Sequence, residues 1–119
     1  MAYVDGYVLP VPKRNLERYR ELATMAGKIW REHGALEYRE CVADDVKSGE
    51  FTSFPQAVIL QEDEVVIFSY IVFESRDHRD EVNAMVMADP RLADVMDRET
   101  MPFDAKRMFW GGFETLVLA

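Results

Sequence analysis

The apolar pattern is strongest over residues 64–74, where β-branched and aromatic side chains follow one another. Both alternate sets in this run are apolar: Val65, Ile67, Ile71 and Phe73 on one side, and Val66, Phe68, Tyr70 and Val72 on the other. A strand with one solvated face would instead alternate apolar and polar residues. The pattern therefore predicts a central strand that is covered on both faces, with helices on one of them.

Residues 15–33 carry apolar side chains at spacings of three and four, which predicts an amphipathic helix. The members of this stripe are Leu16, Tyr19, Leu22, Ala23, Ala26, Ile29, Trp30 and His33. Asn15 is suited to the N-cap, and Gly34 is suited to the position that follows the helix.

The rest of the pattern predicts three further strands, over residues 3–11, 35–43 and 106–118. A second helix is expected to start at Ser75 or Asp77, either of which can cap it.

Three shorter features complete the predicted secondary structure. Asp89-Pro90 predicts a short extra helix, because a capping residue precedes a proline. Residues 45–63 predict a packed excursion with a short helix or strand near residues 55–60. Gly111-Gly112 is expected to break or bend the last strand.

The predicted order is strand, helix, strand, strand, helix, strand. This order is typical of an α+β, ferredoxin-like βαββαβ fold, an antiparallel sheet with both helices on one face. We expect residues 1–119 to form one such domain. The other sheet face stays apolar, through the central strand and through Phe109 and Phe113 or Met108 and Trp110. An exposed apolar face predicts a partner, and a second copy of the chain is the simplest one.

Composition narrows the partners and the compartment. The chain has 119 residues and a formal net charge of −8, so a phosphate backbone is repelled and no nucleic-acid partner is expected. No apolar run approaches the roughly 20 residues of a membrane span, and no signal peptide is evident. Cys41 is the one cysteine, which fits a reducing compartment. These features predict a cytoplasmic protein that does not contact a membrane.

Three stretches, residues 3–12, 34–42 and 101–114, resemble the small bacterial YbaA-like proteins of the DUF1428 family. The resemblance covers nearly the whole chain. It implies a ferredoxin-like subunit of the dimeric α/β-barrel superfamily, but it implies no reaction. That superfamily includes cofactor-independent monooxygenases, haem-degrading and chlorite dismutase-like enzymes, and ligand-binding or regulatory domains. Fold alone does not choose among these functions.

Few residues suggest chemistry. His78 opens the second helix and is a candidate ligand or catalytic group, although a structural role is the simpler interpretation. Arg39 can clamp a carboxylate or form a cross-strand ion pair. Asp104 and Arg107 are candidates for a pocket mouth beside Trp110, or are parts of the closing strand. The chain shows no phosphate loop and no zinc or thiol motif, so no metal and no cofactor is predicted.

We therefore hold two hypotheses. The first is a homodimer that binds a small apolar or aromatic molecule, with cofactor-independent oxygenase-like chemistry as an extension. The second is a non-enzymatic homodimeric interaction or regulatory module. The candidate pocket residues are Tyr7, Tyr38, Arg39, Phe68, Tyr70, His78, Met85, Asp104, Arg107 and Trp110.

Overall fold

Four strands and four helices make up the chain, which a computed structural model describes over all 119 residues. In chain order they are β1 (Tyr3–Pro12), α1 (Leu16–Glu32), β2 (Glu37–Val42), α2 (Phe54–Ala57), β3 (Glu64–Phe73), α3 (Arg76–Met87), α4 (Pro90–Val95) and β4 (Phe109–Glu114). Single 3₁₀ turns precede α1 and β4.

The strands form one antiparallel sheet in the order β2-β3-β1-β4. The ferredoxin-like fold predicted from the sequence is thereby confirmed, and β3 is an inner strand as its apolar pattern indicated. One face of the sheet packs against α1, α3 and α4. The main core lies there, with Ile29, Phe73, Val82 and Val86 almost fully buried.

The opposite face, here called the open face, carries no long helix. The segment after β2 covers one end of it, where Val58 is fully buried against Val8 and Val66. Within this segment Ser53 caps the short helix α2, because its hydroxyl accepts a hydrogen bond from the Gln56 amide. The rest of the open face is bare.

The last strand differs from its prediction in length and in shape. It spans Phe109–Glu114 and is continuous through Gly111 and Gly112, which pair with Gly6 and Asp5 of β1. A Cβ atom on Gly112 would lie 2.2 Å from the Tyr3 hydroxyl. The glycine therefore permits a close approach instead of introducing a bend.

Of the two residues predicted to end helix α1, the structure confirms Gly34 but not Asn15. Gly34 follows the helix with a φ of +118°, a conformation that glycine adopts without strain. Asn15 does not cap the helix with its side chain. Its amide nitrogen instead donates to the Pro102 carbonyl, 2.9 Å away, and so anchors the segment that precedes β4.

Candidate functional site

A cavity of about 380 Å³ lies between the helix-covered face of the sheet and the segment that connects α4 to β4. Most of its lining is apolar. The lining includes Tyr7, Tyr19, Ala26, Trp30, Tyr38, Glu40, Ser69 and Arg98. We refer to this space as the inner cavity.

The floor of the inner cavity is one row of residues that crosses the sheet. Strand register places Glu40 of β2 opposite Ser69 of β3, Ser69 opposite Tyr7 of β1, and Tyr7 opposite Trp110 of β4. Opposed residues in an antiparallel sheet share a face. A polar row therefore runs beneath the cavity, and Ile71 lies in the row next to it.

Glu40 accepts hydrogen bonds from two tyrosines. The Tyr19 hydroxyl donates to Oε1 and the Tyr38 hydroxyl to Oε2, each over 2.6 Å. Burial raises the pKa of Glu40, and the hydrogen bonds from these phenols and from the Ser69 hydroxyl partly offset that effect. The pKa of both tyrosines is raised by burial and by the neighbouring carboxylate. No lysine, arginine or histidine forms an ion pair with Glu40.

Tyr7 is the third phenol that lines the inner cavity, and it donates to no group of the protein. Its ring stacks on Trp110 at 6.0 Å between centroids and 22° between planes. Burial raises the pKa of Tyr7, with a further contribution from the Asp5 carboxylate. The Tyr7 hydroxyl is consequently free to bond to a molecule in the inner cavity.

The roof comes from α1, α4 and the segment that follows α4. Trp30 lines the cavity and is held by a 3.0 Å hydrogen bond from its Nε1 to the side-chain Oδ1 of Asn83. The Phe103 ring meets Tyr19 edge-on at 5.8 Å and closes one side. Arg98 also lines the cavity, and its side chain is exposed to solvent.

A more open groove of about 460 Å³ lies on the other side of Glu40, between α1 and the edge strand β2. Tyr38 and Glu40 line both spaces. Arg20, Lys28 and Arg31 give this groove a more polar wall. The inner cavity is the better candidate site because its lining is the more apolar of the two.

The structure does not bring the ten predicted pocket residues together. Tyr7 and Tyr38 line the inner cavity, and Trp110 packs behind Tyr7. Phe68 and Tyr70 lie on the open face, because they alternate with the residues that face the helices.

Arg39 also lies on the open face. Its guanidinium pairs with Glu37 at 2.9 Å and lies 5.9 Å from the centre of the Tyr70 ring. The ion pair lies within β2, because Glu37 and Arg39 are on the same strand, and the contact that Arg39 makes across strands is the one with the Tyr70 ring.

His78 and Met85 belong to α3, away from the inner cavity. His78 Nδ1 accepts a hydrogen bond from the Glu74 amide at 3.0 Å, close to the Ser75 cap that starts the helix. Met85 is partly exposed to solvent.

Asp104 and Arg107 form an ion-pair cluster with Glu64 in place of a pocket mouth. Arg107 binds both carboxylate oxygens of Glu64, at 2.7 and 2.6 Å, and pairs with Asp104 at 3.1 Å. It also donates to the carbonyls of Val58 and Ile59. The pKa of Glu64 is lowered, chiefly by the hydrogen bonds from Arg107.

A buried ion pair supports the floor from the next row. Asp5 is fully buried and accepts from Arg79 of α3 at 2.8 Å. Arg79 also lies over the Tyr3 ring, 4.9 Å from its centre. This pair fastens α3 to β1 and so fixes the position of the floor.

Sequence reasoning missed Glu40 and Tyr19 as site residues. The available signal was alternation, since Glu40 shares the apolar side of β2 with Tyr38 and Val42. A charged residue on the apolar side of a strand is unusual and points to a buried polar site.

No group of three or more histidine, cysteine, aspartate or glutamate side chains is placed to hold a metal ion. None of the helices has the length and apolar character that crossing a membrane requires.

Residues 2–105 match the family described as "Protein of unknown function (DUF1428)". The chain belongs to the DUF1428 family. It is 45% identical over 117 residues to the "Uncharacterized protein YbaA" of Escherichia coli strain K12, with 98% of each chain covered. The YbaA protein of Shigella flexneri matches equally well. The family resemblance inferred from the sequence is therefore confirmed.

Solved structures share the fold at low sequence identity. An uncharacterized NIPSNAP domain protein from Burkholderia xenovorans superposes with a TM-score of 0.58 and 8% identity, over 98% of this DUF1428 chain and 97% of that one. Protein Atu4242 from Agrobacterium tumefaciens gives a TM-score of 0.56 and 16% identity, over 94% and 91%. These similarities establish the fold alone.

Proposed function

We propose that this DUF1428 protein is a homodimer that binds a small apolar or aromatic molecule in the inner cavity. The observation that carries the proposal is the cavity itself, at about 380 Å³. Small-molecule sites are typically about 300–1,000 Å³, mostly apolar, with a few polar groups that fix orientation. The polar floor row beneath an apolar roof has this composition.

The same arrangement supports an enzymatic extension, cofactor-independent oxygenase-like chemistry. Such a reaction needs a water-poor site and a group that takes a proton from an activated aromatic substrate. Glu40 supplies a carboxylate whose raised pKa makes it a better proton acceptor than a solvated glutamate. Oxygen consumption that requires Glu40 would test this extension, and Glu40→Gln should abolish it.

The open face supports the dimer. Three phenylalanines on it keep much of their surface in solvent: Phe68 at 42%, Phe109 at 45% and Phe113 at 62%. An apolar patch of this kind on a single chain is typical of an interaction surface.

The size of the open face also suits a second copy. Strand spacing of about 4.8 Å and a rise of about 3.3 Å per residue give the four strands an area of about 500 Å². The segment after β2 and the residues after β4 lie beside it and extend it. Each partner in a standard interface buries about 800 Å². Two open faces packed against each other therefore approach a stable interface.

The alternative function is a non-enzymatic homodimeric interaction or regulatory module. The open face favours it on its own, because dimerisation needs no ligand. In that case the inner cavity is a packing defect that binds nothing specifically.

Native mass spectrometry of freshly purified protein, with Ala26→Leu alongside, tests the proposal. Ala26 is buried and lines the inner cavity, so leucine should fill part of it. Ala84→Leu makes the same change on the exposed side of α3 and serves as the control. The proposal is supported if the wild type and Ala84→Leu are dimers that carry a bound small molecule, seen as extra mass, and Ala26→Leu does not carry it. If Ala26→Leu keeps the extra mass, the molecule does not bind in the inner cavity.

A dimer without extra mass is then titrated with toluene. The indole N–H signal of Trp30 reports occupancy by NMR, and Trp110→Phe assigns it because the chain has two tryptophans. A saturable shift that Ala26→Leu weakens and Ala84→Leu does not supports the proposal. No shift up to the solubility limit of toluene favours the interaction module.

A further inference from the structure

The inner cavity contains an unfilled hydrogen-bond acceptor. A carboxylate offers about four lone-pair positions, and Glu40 uses two for Tyr19 and Tyr38 and has the Ser69 hydroxyl as a further partner. No basic side chain pairs with Glu40, so acceptor capacity remains. A ligand group that donates a hydrogen bond can therefore reach Glu40 from the cavity.

The Tyr7 hydroxyl defines that ligand group more closely. It lies in the same floor row as Glu40 and donates to no protein group. A ligand hydroxyl can donate a hydrogen bond to Glu40 and accept one from Tyr7, so it is used both as a donor and as an acceptor. An ammonium group has three donors and no acceptor, so it can donate to Glu40 and to the Tyr7 oxygen but leaves the Tyr7 O–H without an acceptor.

Arg98 supplies a positive charge to the same cavity. It lines the cavity from the segment after α4, is exposed, and pairs with no carboxylate of the chain. Arg79 and Arg107, in contrast, are each held by buried acidic partners. A guanidinium binds carboxylates through paired N–H groups, so a ligand carboxylate can be held at the solvent side.

We propose that the inner cavity takes a small aromatic acid that carries a hydroxyl group. The hydroxyl bonds to Glu40 and Tyr7 at the floor, the ring packs against Trp30, and the carboxylate pairs with Arg98. This inference rests on the proposed function, since it names the ligand class of that same cavity.

A series of four probes separates the contributions of these groups. Toluene has only the ring, p-cresol adds the hydroxyl, phenylacetate adds the carboxylate, and 4-hydroxyphenylacetate has both. Each is titrated into the full-length protein at neutral pH, and the Trp30 indole N–H signal gives the Kd. Phenethylamine is a fifth probe, for an ammonium ligand.

Two variants with matched controls assign the contacts. Glu40→Gln is compared with Glu37→Gln. Glu37 lies on the same strand but on the open face, and its carboxylate also accepts a hydrogen bond from a tyrosine. Arg98→Gln is compared with Arg76→Gln, which removes an exposed arginine at the start of α3.

We expect p-cresol to bind about tenfold more tightly than toluene, because hydrogen bonds to charged groups have this strength. Glu40→Gln should remove most of that gain and leave toluene binding unchanged. The carboxylate should add about two- to fivefold, a gain that Arg98→Gln removes and that high salt weakens. Both controls should behave as the wild type.

The outcomes distinguish this inference from the function on which it rests. If toluene itself does not bind, the proposed cavity function fails. If toluene binds but p-cresol binds no more tightly, only the proposed ligand class is wrong. The same holds if the tighter binding of p-cresol persists in Glu40→Gln. Tighter binding of phenethylamine than of 4-hydroxyphenylacetate overturns it as well.

Discussion

The Glu40 carboxylate is bound by two phenols but has no basic residue beside it. Hydrogen bonds from Tyr19, Tyr38 and Ser69 reduce the cost of holding a charge in a low-dielectric site, but they do not remove it, so burial still raises the pKa of Glu40. A residue that lowers stability and lies in a cavity is characteristic of a functional site, because stability and function often compete.

The stability effect of Glu40 can be measured directly. A glutamate in the unfolded chain has an ordinary pKa of 4.5, and the pKa of Glu40 in the folded protein is higher. The folded state therefore binds this proton more tightly than the unfolded state, and stability is lost as pH rises through the folded pKa. We expect Glu40→Gln to raise the free energy of unfolding at pH 7 by about 0.5–2 kcal/mol.

Urea unfolding at several pH values checks this expectation. The advantage of Glu40→Gln should disappear below pH 4.5, where wild-type Glu40 is protonated in both states. Glu37→Gln is the control. An advantage that persists unchanged in acid would show that charge burial is not its cause.

At the scale of elements, helix α1 contacts strand β2 through a glycine. A Cβ atom on Gly27 would lie 2.8 Å from the ring of Tyr38, so the ring must move if that atom is added. Glycine inside a helix normally costs about 1 kcal/mol relative to alanine. At this position the close approach to Tyr38 opposes that gain.

We expect Gly27→Ala to destabilise the protein despite its better helix propensity, and to weaken p-cresol binding. The displaced Tyr38 hydroxyl would no longer reach Glu40 at 2.6 Å. The thermal midpoint and the p-cresol titration measure the two effects. In a Tyr38→Ala background the clash is absent, and Gly27→Ala should become stabilising. Stabilisation by Gly27→Ala in the wild type would refute the close-packing argument.

Arg107 connects three elements that are distant in sequence. It joins the start of β3, through Glu64, to the residues after α2 and to the segment that precedes β4. Side-chain exposure is 13% for Arg107 and 4% for Glu64, so the pair is buried. Removing one partner leaves the other charge buried without compensation.

We therefore expect Arg107→Met to lower the free energy of unfolding by about 3 kcal/mol at pH 7. The pKa of Glu64 is depressed below 4.5, so its contribution is complete above that pH and is lost as pH falls through the folded value. The loss of unfolding free energy caused by Arg107→Met should therefore be smaller in acid. Arg18→Met, which breaks an exposed pair, should cost less than about 1 kcal/mol. A deficit independent of pH would argue against the ion pair.

The elements that sequence predicted well have local signals. Strand β3 follows from its apolar run, and α3 is capped by Ser75, whose hydroxyl accepts a hydrogen bond from the His78 amide. The course of β4 was mispredicted because Gly112 is set by contact with Tyr3, which is distant in sequence.

The site was predicted in part for the same reason. Tyr7 and Tyr38 have aromatic side chains on strands, and alternation indicates the side that each faces. Glu40 and Tyr19 are brought together only when α1 packs on β2, and the α4–β4 segment closes the cavity through tertiary contacts. No local pattern contains that information.

At the scale of the whole molecule, the chain is a two-layer structure of 38 × 37 × 21 Å. One layer is helical and the other is the sheet, so the open face is also an outer face of the molecule. The residues after β4 are apolar and exposed, with Leu116 at 91% and Leu118 at 85%. Exposed apolar surface on this scale is costly in water.

We therefore expect the wild type to be a dimer at micromolar concentration and Phe113→Asp to be a monomer. Phe113 is opposite Val4 on the open face, so an aspartate there would bring two unpaired charges into a symmetric interface. Met25→Asp, an equally drastic change at an exposed position of α1, should remain a dimer. Sedimentation velocity measures all three. A monomeric wild type would mean that the open face is solvated in spite of its phenylalanines, and a dimeric Phe113→Asp would place the interface elsewhere.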